Sequence, residues 1–312
     1  MIITEFYNGQ GLGNQLWCYA VTRVSAEING YNFGIMSTEK FKGKEFLELD
    51  FGNIVVGGSG PEGGPPTSLP KGITNYYKEK TTRHLNGIDI TKFDHKIFST
   101  SDNTKLEGNL QSSEYIEPYR TKIKNWFKIK SNFNIENLSQ EDICLIHIRG
   151  GDFLHSSAFL LKNYYKNAIT HMLKKNAKMK FFIVTDDVTY SKNLLPEIEI
   201  IGASKLGLLD SNKASHHIGG PVGIDWLLLN RCKNAIISAS SFSFWPIWLN
   251  DEVNVIAPMF WAGHKNSDGY WSCGDSLIRG WSYMNKEGEL YSYEKCKELK
   301  VSYEKGNEYL WN

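Results

Sequence analysis

Three short segments set chemistry-bearing side chains directly behind apolar runs. The run ICLIHI leads into His147-Ile148-Arg149-Gly150-Gly151-Asp152, and a His, an Arg and an Asp there cost stability unless they are paired or bind something. A guanidinium is always charged, and its planar fork matches a diphosphate bidentately. The alternative is that Arg149 and Asp152 pair with each other across the turn. The twin glycines let a backbone approach a ligand closely. The run KFFIVTDD ends similarly, in Thr185-Asp186-Asp187. Adjacent carboxylates could chelate a metal, but no second ligand cluster is spaced to help them. What remains is hydrogen bonding to ribose or base hydroxyls by Asp186, or N-capping of the next helix by one of the pair. Ser238 to Trp245 closes a third run and starts a helix, so Ser240, Ser241 and Phe242 present hydroxyls and N–H groups suited to phosphate, with Trp245 and Trp248 as packing groups.

The N-terminal loop Gly9-Gln10-Gly11-Leu12-Gly13-Asn14-Gln15 runs from a strand into a helix, where bare N–H groups favour an anion. A tight turn that merely needs glycine is the plain alternative, and the spacing does not fit a dinucleotide fingerprint. Asp225 sits among Leu227, Leu228 and Leu229 on a helix and reads equally well as a solvent-facing residue. His216 and His217 are adjacent and lack a third ligand, which makes them loop residues and no zinc site. Nothing arranges a Ser-His-Asp or Cys-His set for hydrolysis.

Positioning these groups requires strands that alternate with helices. IITEFY, NGQGLGNQ, a helix over residues 16–30 stopped by Gly30, and YNFGIM form a β-α-β unit. Residues 57–72 are too rich in Gly and Pro for a regular element. From Ile143 the order is strand, helix (YYKNAITHMLKKN), strand, glycine-rich loop, helix (IDWLLLNRC), strand (NAIISAS), and later the strand VNVIAPMF. Polar residues collected at the strands' C-terminal ends describe a doubly wound parallel sheet that binds ligands at that edge. The expected organisation is an N-terminal lobe over 1–138, carrying the Gly/Pro-rich loop, a doubly wound lobe over 139–284, and a charged tail over 285–312, read as a surface helix or loosely packed segment.

With 312 residues and 41% hydrophobic content, two lobes are the default. A net charge of +1 creates no long-range field, which argues against a nucleic-acid partner and means that any bound anion is held locally. Five cysteines at 18, 144, 232, 273 and 296 show no CxxC spacing and read as reduced thiols. No apolar run approaches the length that spans a bilayer, and the first residues lack a signal-peptide pattern. A cytoplasmic protein is expected, with membrane contact limited to the periphery of the inner surface. Its oligomeric state is not encoded in these features.

The segments in order resemble glycosyltransferase family 11, the α-1,2-fucosyltransferase-like enzymes of polysaccharide biosynthesis. GQGLGNQLWCYA is similar to their GGLGNQMFQYA signature, LEGNLQSSEYI to their GYFQS-type segment, and ICLIHIRGGDF to HxRRGDY. FFIVTDD is similar to FxxFSDD, and DWLLLNRCKNAIISASSFSFWPIWLN with VIAPMFW to the C-terminal blocks. The resemblance implies an α/β, GT-B-like fold: two Rossmann-like lobes facing a cleft, with 1–138 as the acceptor-side lobe and 139–284 as the nucleotide-sugar-binding one. It also implies inverting transfer of fucose from GDP-fucose to a glycan hydroxyl, with no metal or other cofactor. Arg149 would then lie on the diphosphate, His147 and Asp225 near the guanosine, Asp186 near the ribose or base, and Ser240, Ser241 and Phe242 along the phosphates. Gly11, Gly13 and Asn14 would line the cleft from the other lobe, with Gln111 and Ser112 near the acceptor.

Two positions depart from the family pattern. Gly150 stands where a second arginine is usual, and Ala239 where an asparagine is. One charge-assisted diphosphate contact, worth roughly 1.5–3 kcal/mol, is thereby missing; Gly150→Arg is expected to be accommodated at an open loop. Asp152 and Glu114 are the candidate bases. The departures motivate an alternative, a degenerate transferase that binds a nucleotide sugar or glycan without turnover. A nicotinamide-dependent oxidoreductase rests on the glycine loop alone.

Overall fold

The computed structural model describes residues 1–55, 69–83, 89–131, 140–151, 162–204, 220–261, 269–271 and 276–310. Asp152, His216, His217, Cys273 and the boundary at 138 lie outside them.

Strand β1 (Ile2–Glu5) is buried throughout, and helix α1 (Leu12–Asn29) follows after a turn at Gly9, whose φ is +80°. The helix begins four residues earlier than its apolar periodicity suggests, because Gly11 is its N-cap and Gly13 and Asn14 form its first turn. It ends as expected at Gly30, left-handed at φ 68°, whose N–H donates to the Ala26 and Glu27 carbonyls. Strand β2 (Phe33–Met36) then pairs in parallel with β1, completing the β-α-β unit. Strands β4 (Asn75–Lys78) and β7 (Thr104–Glu107) extend this sheet in the order β2-β1-β7-β4. Two antiparallel ribbons, β3 (Leu47–Glu48) with β8 (Lys128–Ile129) and β5 (Thr81–Arg83) with β6 (Asp89–Thr91), lie outside the sheet, as do the short helices α2 (Ser113–Ile116) and α3 (Arg120–Trp126).

The second lobe is built from β9 (Ile143–Ile148), α4 (Lys162–Lys175), β10 (Lys180–Thr185), α5 (Val188–Leu194), β11 (Glu199–Ile200) and α6 (Gly220–Arg231). It continues through β12 (Asn234–Ile236), α7 (Ser241–Trp248), β13 (Asn254–Pro258), β14 (Ser282–Met284), β15 (Leu290–Tyr291) and α8 (Tyr293–Gly306). Its sheet runs β11-β10-β9-β12-β13-β14-β15, parallel except for β15. The first six strands follow the 3-2-1-4-5-6 order of a doubly wound sheet, whose topological switch point falls between β9 and β12. The tail expected after 284 is part of this lobe. Strand β15 pairs with β14, and α8, a surface helix as one of the two expectations had it, buries Cys296 and Lys300 and turns most of its charged side chains outward. Among the described residues no helix is long and apolar enough to cross a membrane.

The lobes share one core. Trp17 of α1 lies 4.8 Å from Phe244 and 5.0 Å from Trp245 of α7, and Phe127 stacks on Trp245 at 5.1 Å. Away from the cleft, Arg120 reaches from α3 to the Trp248 carbonyl and to Asp251, which also takes Lys124.

Close approach of α1 and α7 depends on Gly13. A Cβ there would lie 2.2 Å from the Ser241 carbonyl carbon and 2.6 Å from the Phe242 nitrogen, whereas nothing lies within 4 Å of one added at Gly11. Both clashing atoms are backbone, so the helices themselves would have to part. Gly13→Ala is therefore expected to destabilise by about 1–3 kcal/mol, outweighing the roughly 1 kcal/mol that alanine gains in a helix. Gly11→Ala should be close to neutral. Urea midpoints of the two variants check this, and equal midpoints would show that the helices are not held this tightly.

Candidate active site

Polar groups gather where the C-terminal ends of β9, β10 and β12 meet the first turns of α1 and α7. His147, on the last turn of pleat in β9, is buried and its Nδ1 lies 2.8 Å from Ser238 Oγ, beyond β12. Burial, and then the Arg149 charge, lower its pKa to about 3, so the ring is neutral. Its ring also lies 5.8 Å from that of Phe242.

Arg149 pairs with Asp186 Oδ2, across from β9 to the end of β10. The other oxygen of Asp186 accepts from the Gly150 N–H at 2.8 Å. Asp187 works in parallel: Oδ2 accepts from the Gly151 N–H at 3.2 Å, while Oδ1 caps α5 through the Tyr190 N–H at 2.9 Å. The N-cap expected of this pair is thus Asp187. Asp186, expected at the ribose or base, is committed through both oxygens to the turn that presents Arg149. The alternative pairing of Arg149 with Asp152 lies outside the described residues.

Gly150 does not occupy an open loop. A Cβ at this position would fall 2.5 Å from Asp187 Cβ and 3.0 Å from its Oδ2, so an arginine could enter only by displacing the α5 cap. This packing corrects the expectation that Gly150→Arg would fit at an open loop.

Asp225 is not solvent-facing. It is buried, its Oδ1 accepts from the Ala203 N–H at 2.8 Å, and Gly202 has φ +79° directly beneath it, where a Cβ would come within 2.1 Å of Oδ1. Burial raises its pKa to about 7; the Ala203 N–H pulls against that rise and the Asp186 charge adds to it.

Ser240 caps α7, its Oγ accepting from the Phe242 N–H at 3.3 Å. Ser241 Oγ donates to Asn14 Oδ1 at 2.6 Å, and Gln111 Nε2 donates to the same oxygen at 2.7 Å. Trp245 Nε1 donates to the Gly13 carbonyl at 3.0 Å. Asn14 therefore joins α1, α7 and the segment after β7. Gly13 is buried in this joint, while Gly11 is exposed beside it. Ser112 is a cap, accepting from the Glu114 N–H at 3.3 Å; Glu114 itself points to solvent. Among the described residues no group of three or more His, Cys, Asp or Glu is placed to hold a metal ion.

One buried residue at the end of the first sheet has no sequence signal. Glu79 sits in the charged run Lys78-Glu79-Lys80, which reads as a solvated turn, yet it is buried with Oε2 on the Asn109 and Leu110 N–H groups.

Asp225 and His147 give opposite pH dependences. Asp225, raised from 3.8 to about 7 on folding, adds stability that is complete below pH 3.8 and is lost as pH rises through about 7. His147, lowered from 6.5 to about 3, contributes stability that is present above pH 6.5 and lost as pH falls through about 3. Asp225→Asn, which keeps the acceptor for Ala203 and cannot ionise, should remove the decline between pH 4 and 7 and leave the acid-side loss in place. Urea midpoints across pH 3–8 decide it; identical pH profiles for the two proteins would refute the assignment.

The sequence profile of glycosyl transferase family 11 matches residues 91–285. The Escherichia coli protein "Alpha-1,2-colitosyltransferase" is 24% identical over 207 residues, covering 60% of this chain and 68% of that protein. The Escherichia coli "O-antigen biosynthesis glycosyltransferase WbnK" is 27% identical over 202 residues, covering 55% of this chain; the match spans 63% of WbnK, just under two thirds. Among solved structures, fucosyltransferase NodZ from Bradyrhizobium aligns with a TM-score of 0.43 and 14% identity, covering 93% of this chain and 96% of that one. A glycosyl transferase family 9 structure from Veillonella parvula gives 0.44 and 12%, covering 96% and 88%. The family profile takes in well over half of the chain, including the second sheet from β9 to β14 and the site residues from Gln111 to Phe242, so the chain belongs to glycosyl transferase family 11.

Proposed function

We propose that this protein transfers fucose from GDP-fucose to a hydroxyl of a glycan acceptor, with inversion, forming an α-1,2 linkage and using no metal. The observation that carries this reading is the presentation of Arg149, by two carboxylates acting on its turn, at the switch point beside two converging helix N-termini. Each helix start concentrates roughly half a positive charge and unsatisfied N–H groups. A leaving diphosphate needs that kind of fixed, preorganised positive field. The bond from the sugar's anomeric carbon to the phosphate oxygen breaks, the acceptor oxygen forms the new bond from the opposite face, and a base takes the hydroxyl proton.

Guanine is the base favoured, because Asp225 is buried near enough to Asp186 to feel its charge and, among the described residues, is engaged only through Oδ1 by Ala203. A guanine edge offers adjacent N–H donors to a carboxylate. The α-1,2 linkage has support in the name of the colitosyl-transferring relative, and for that reason the donor panel includes a colitose donor besides GDP-fucose. The second reading, nucleotide-sugar binding without turnover, is favoured by the packing at Gly150, which leaves no room for a second guanidinium.

A screen of GDP, UDP, ADP and CMP by melting shift, followed by release of free nucleotide from the matching sugar donors with and without EDTA, tests the proposal. GDP is expected to stabilise most, with turnover insensitive to EDTA. A larger UDP shift, or activity lost to EDTA and restored by magnesium or manganese, would overturn it, and GDP binding without release from any donor would establish the second reading. Arg149→Lys retains the charge opposite Asp186 but loses the fork, so turnover should fall by about 10²-fold with little change in melting temperature. Near-normal turnover with a lowered melting temperature would reduce Arg149 to a structural partner of Asp186.

A further inference from the structure

The chain leaves β7 through a strained turn. Gly108 has φ +150° and Leu110 has φ +52°; a branched, non-glycine residue in the left-handed region costs about 1–3 kcal/mol and persists only where its surroundings over-determine it. The determining group here is Glu79. It follows β4, the neighbour of β7, and its own N–H donates to the Glu107 carbonyl at 2.8 Å, so its side chain is registered against the turn. Oε2 accepts from both the Asn109 N–H at 2.8 Å and the Leu110 N–H at 3.0 Å. Gly108 carries no side chain because a Cβ would lie 2.4 Å from Glu79 Cβ. Cys18 of α1 adds a third tie, donating to the Gly108 carbonyl at 3.3 Å.

Burying a carboxylate is expensive unless it is hydrogen-bonded, and packing alone would not select one here. What an acidic side chain provides is an acceptor strong enough for two consecutive backbone N–H groups at a turn that could not otherwise hold its shape. The residue placed by that turn is Gln111, which donates to Asn14 Oδ1, the oxygen that also receives Ser241 Oγ at the start of α7. We propose that Glu79 is a positioning residue of the cleft: it holds the turn after β7, and through Gln111 and Asn14 it sets the relative placement of the α1 and α7 first turns. Only the activity readout below rests on the transferase reading.

The test compares Glu79→Ala with Glu79→Gln, which keeps one carbonyl acceptor, in the full-length protein by amide hydrogen exchange. In Glu79→Ala, exchange should accelerate by about tenfold or more, not only over residues 108–112 but also over 12–16 and 240–244, while Glu79→Gln stays within about threefold of wild type. Acceleration confined to 108–112, or none, overturns the proposal by showing a local role. Should Glu79→Ala not fold, Gln111→Leu interrupts the relay one step later: 108–110 must stay protected while 240–244 loosens, and unchanged exchange at 240–244 refutes the relay. Release of GDP from GDP-fucose by Glu79→Ala should drop by about tenfold or more in kcat with KM for the donor within about threefold, because misplacement near the reacting groups costs rate before it costs binding. Wild-type protein that is inactive with every donor would defeat the functional reading and leave the exchange result to judge Glu79 by itself.

Discussion

Helices α1 and α7 meet at their first turns, at a distance that no side chain larger than hydrogen at position 13 permits. Two positive helix ends side by side repel, so the contact has to be held by something else. Burial of Trp17, Phe244 and Trp245 holds it on one side, and the Trp245 indole bonded to the Gly13 carbonyl fixes the separation. Asn14 adds direction by accepting from both lobes. The rest of the cleft inherits its geometry from this joint, because β1 with its sheet leads into α1 and β12 with the larger sheet leads into α7. The lobes consequently share one core, and moving them apart would expose several of the largest apolar side chains in the molecule.

The switch point between β9 and β12 supplies the second half of the site. A chain that leaves β9 toward one side of the sheet and β12 toward the other opens a crevice without any side chain having to make room. Groups at its rim have less water than surface groups, and their charges are settled locally. His147 stays neutral against Ser238, and the Arg149 charge faces Asp186; beyond β11, Asp225 shares a hydrogen bond with the Ala203 backbone. Two carboxylates at the end of β10 hold the backbone of a neighbouring turn. At Gly150 that turn lies directly on Asp187, with no space for a Cβ.

Buried polar groups extend along the first sheet as well. Lys105, fully buried on β7, pairs with Glu5 of β1 at 2.7 Å, and Glu5 also accepts from Ser37 at 3.2 Å. Such a pair adds little net stability after desolvation but penalises any register in which it is broken. Together with Glu79 it ties β1, β4 and β7 at the edge from which the cleft-lining segments depart.

Much of this was legible in the residues. The alternation of apolar runs with amphipathic ones established a parallel sheet in the second lobe, since only β-α-β connections put polar residues repeatedly at the same strand ends. The motifs at residues 147–152, 185–187 and 238–245 marked the C-terminal ends of its strands, where the polar groups gather, and their order along the chain identified the family. Asp225 was weighed as a ligand-side group or a solvent-facing helix residue, and its burial against the Ala203 backbone was not visible in the apolar residues that flank it. Asp186 was expected on the ligand and is engaged by Arg149, a pairing 37 positions apart that no local spacing encodes. The charged C-terminal stretch read as a tail because the two residues of β15 are too few to show alternation, and only the waiting edge of β14 makes them a strand. Glu79 lies between two lysines, a local pattern with no sign of burial. Its burial, like the need for glycine at 13 and 150, comes from backbone brought close by the packing of strands and helices far apart in sequence, which is decided when the two lobes condense onto a common core.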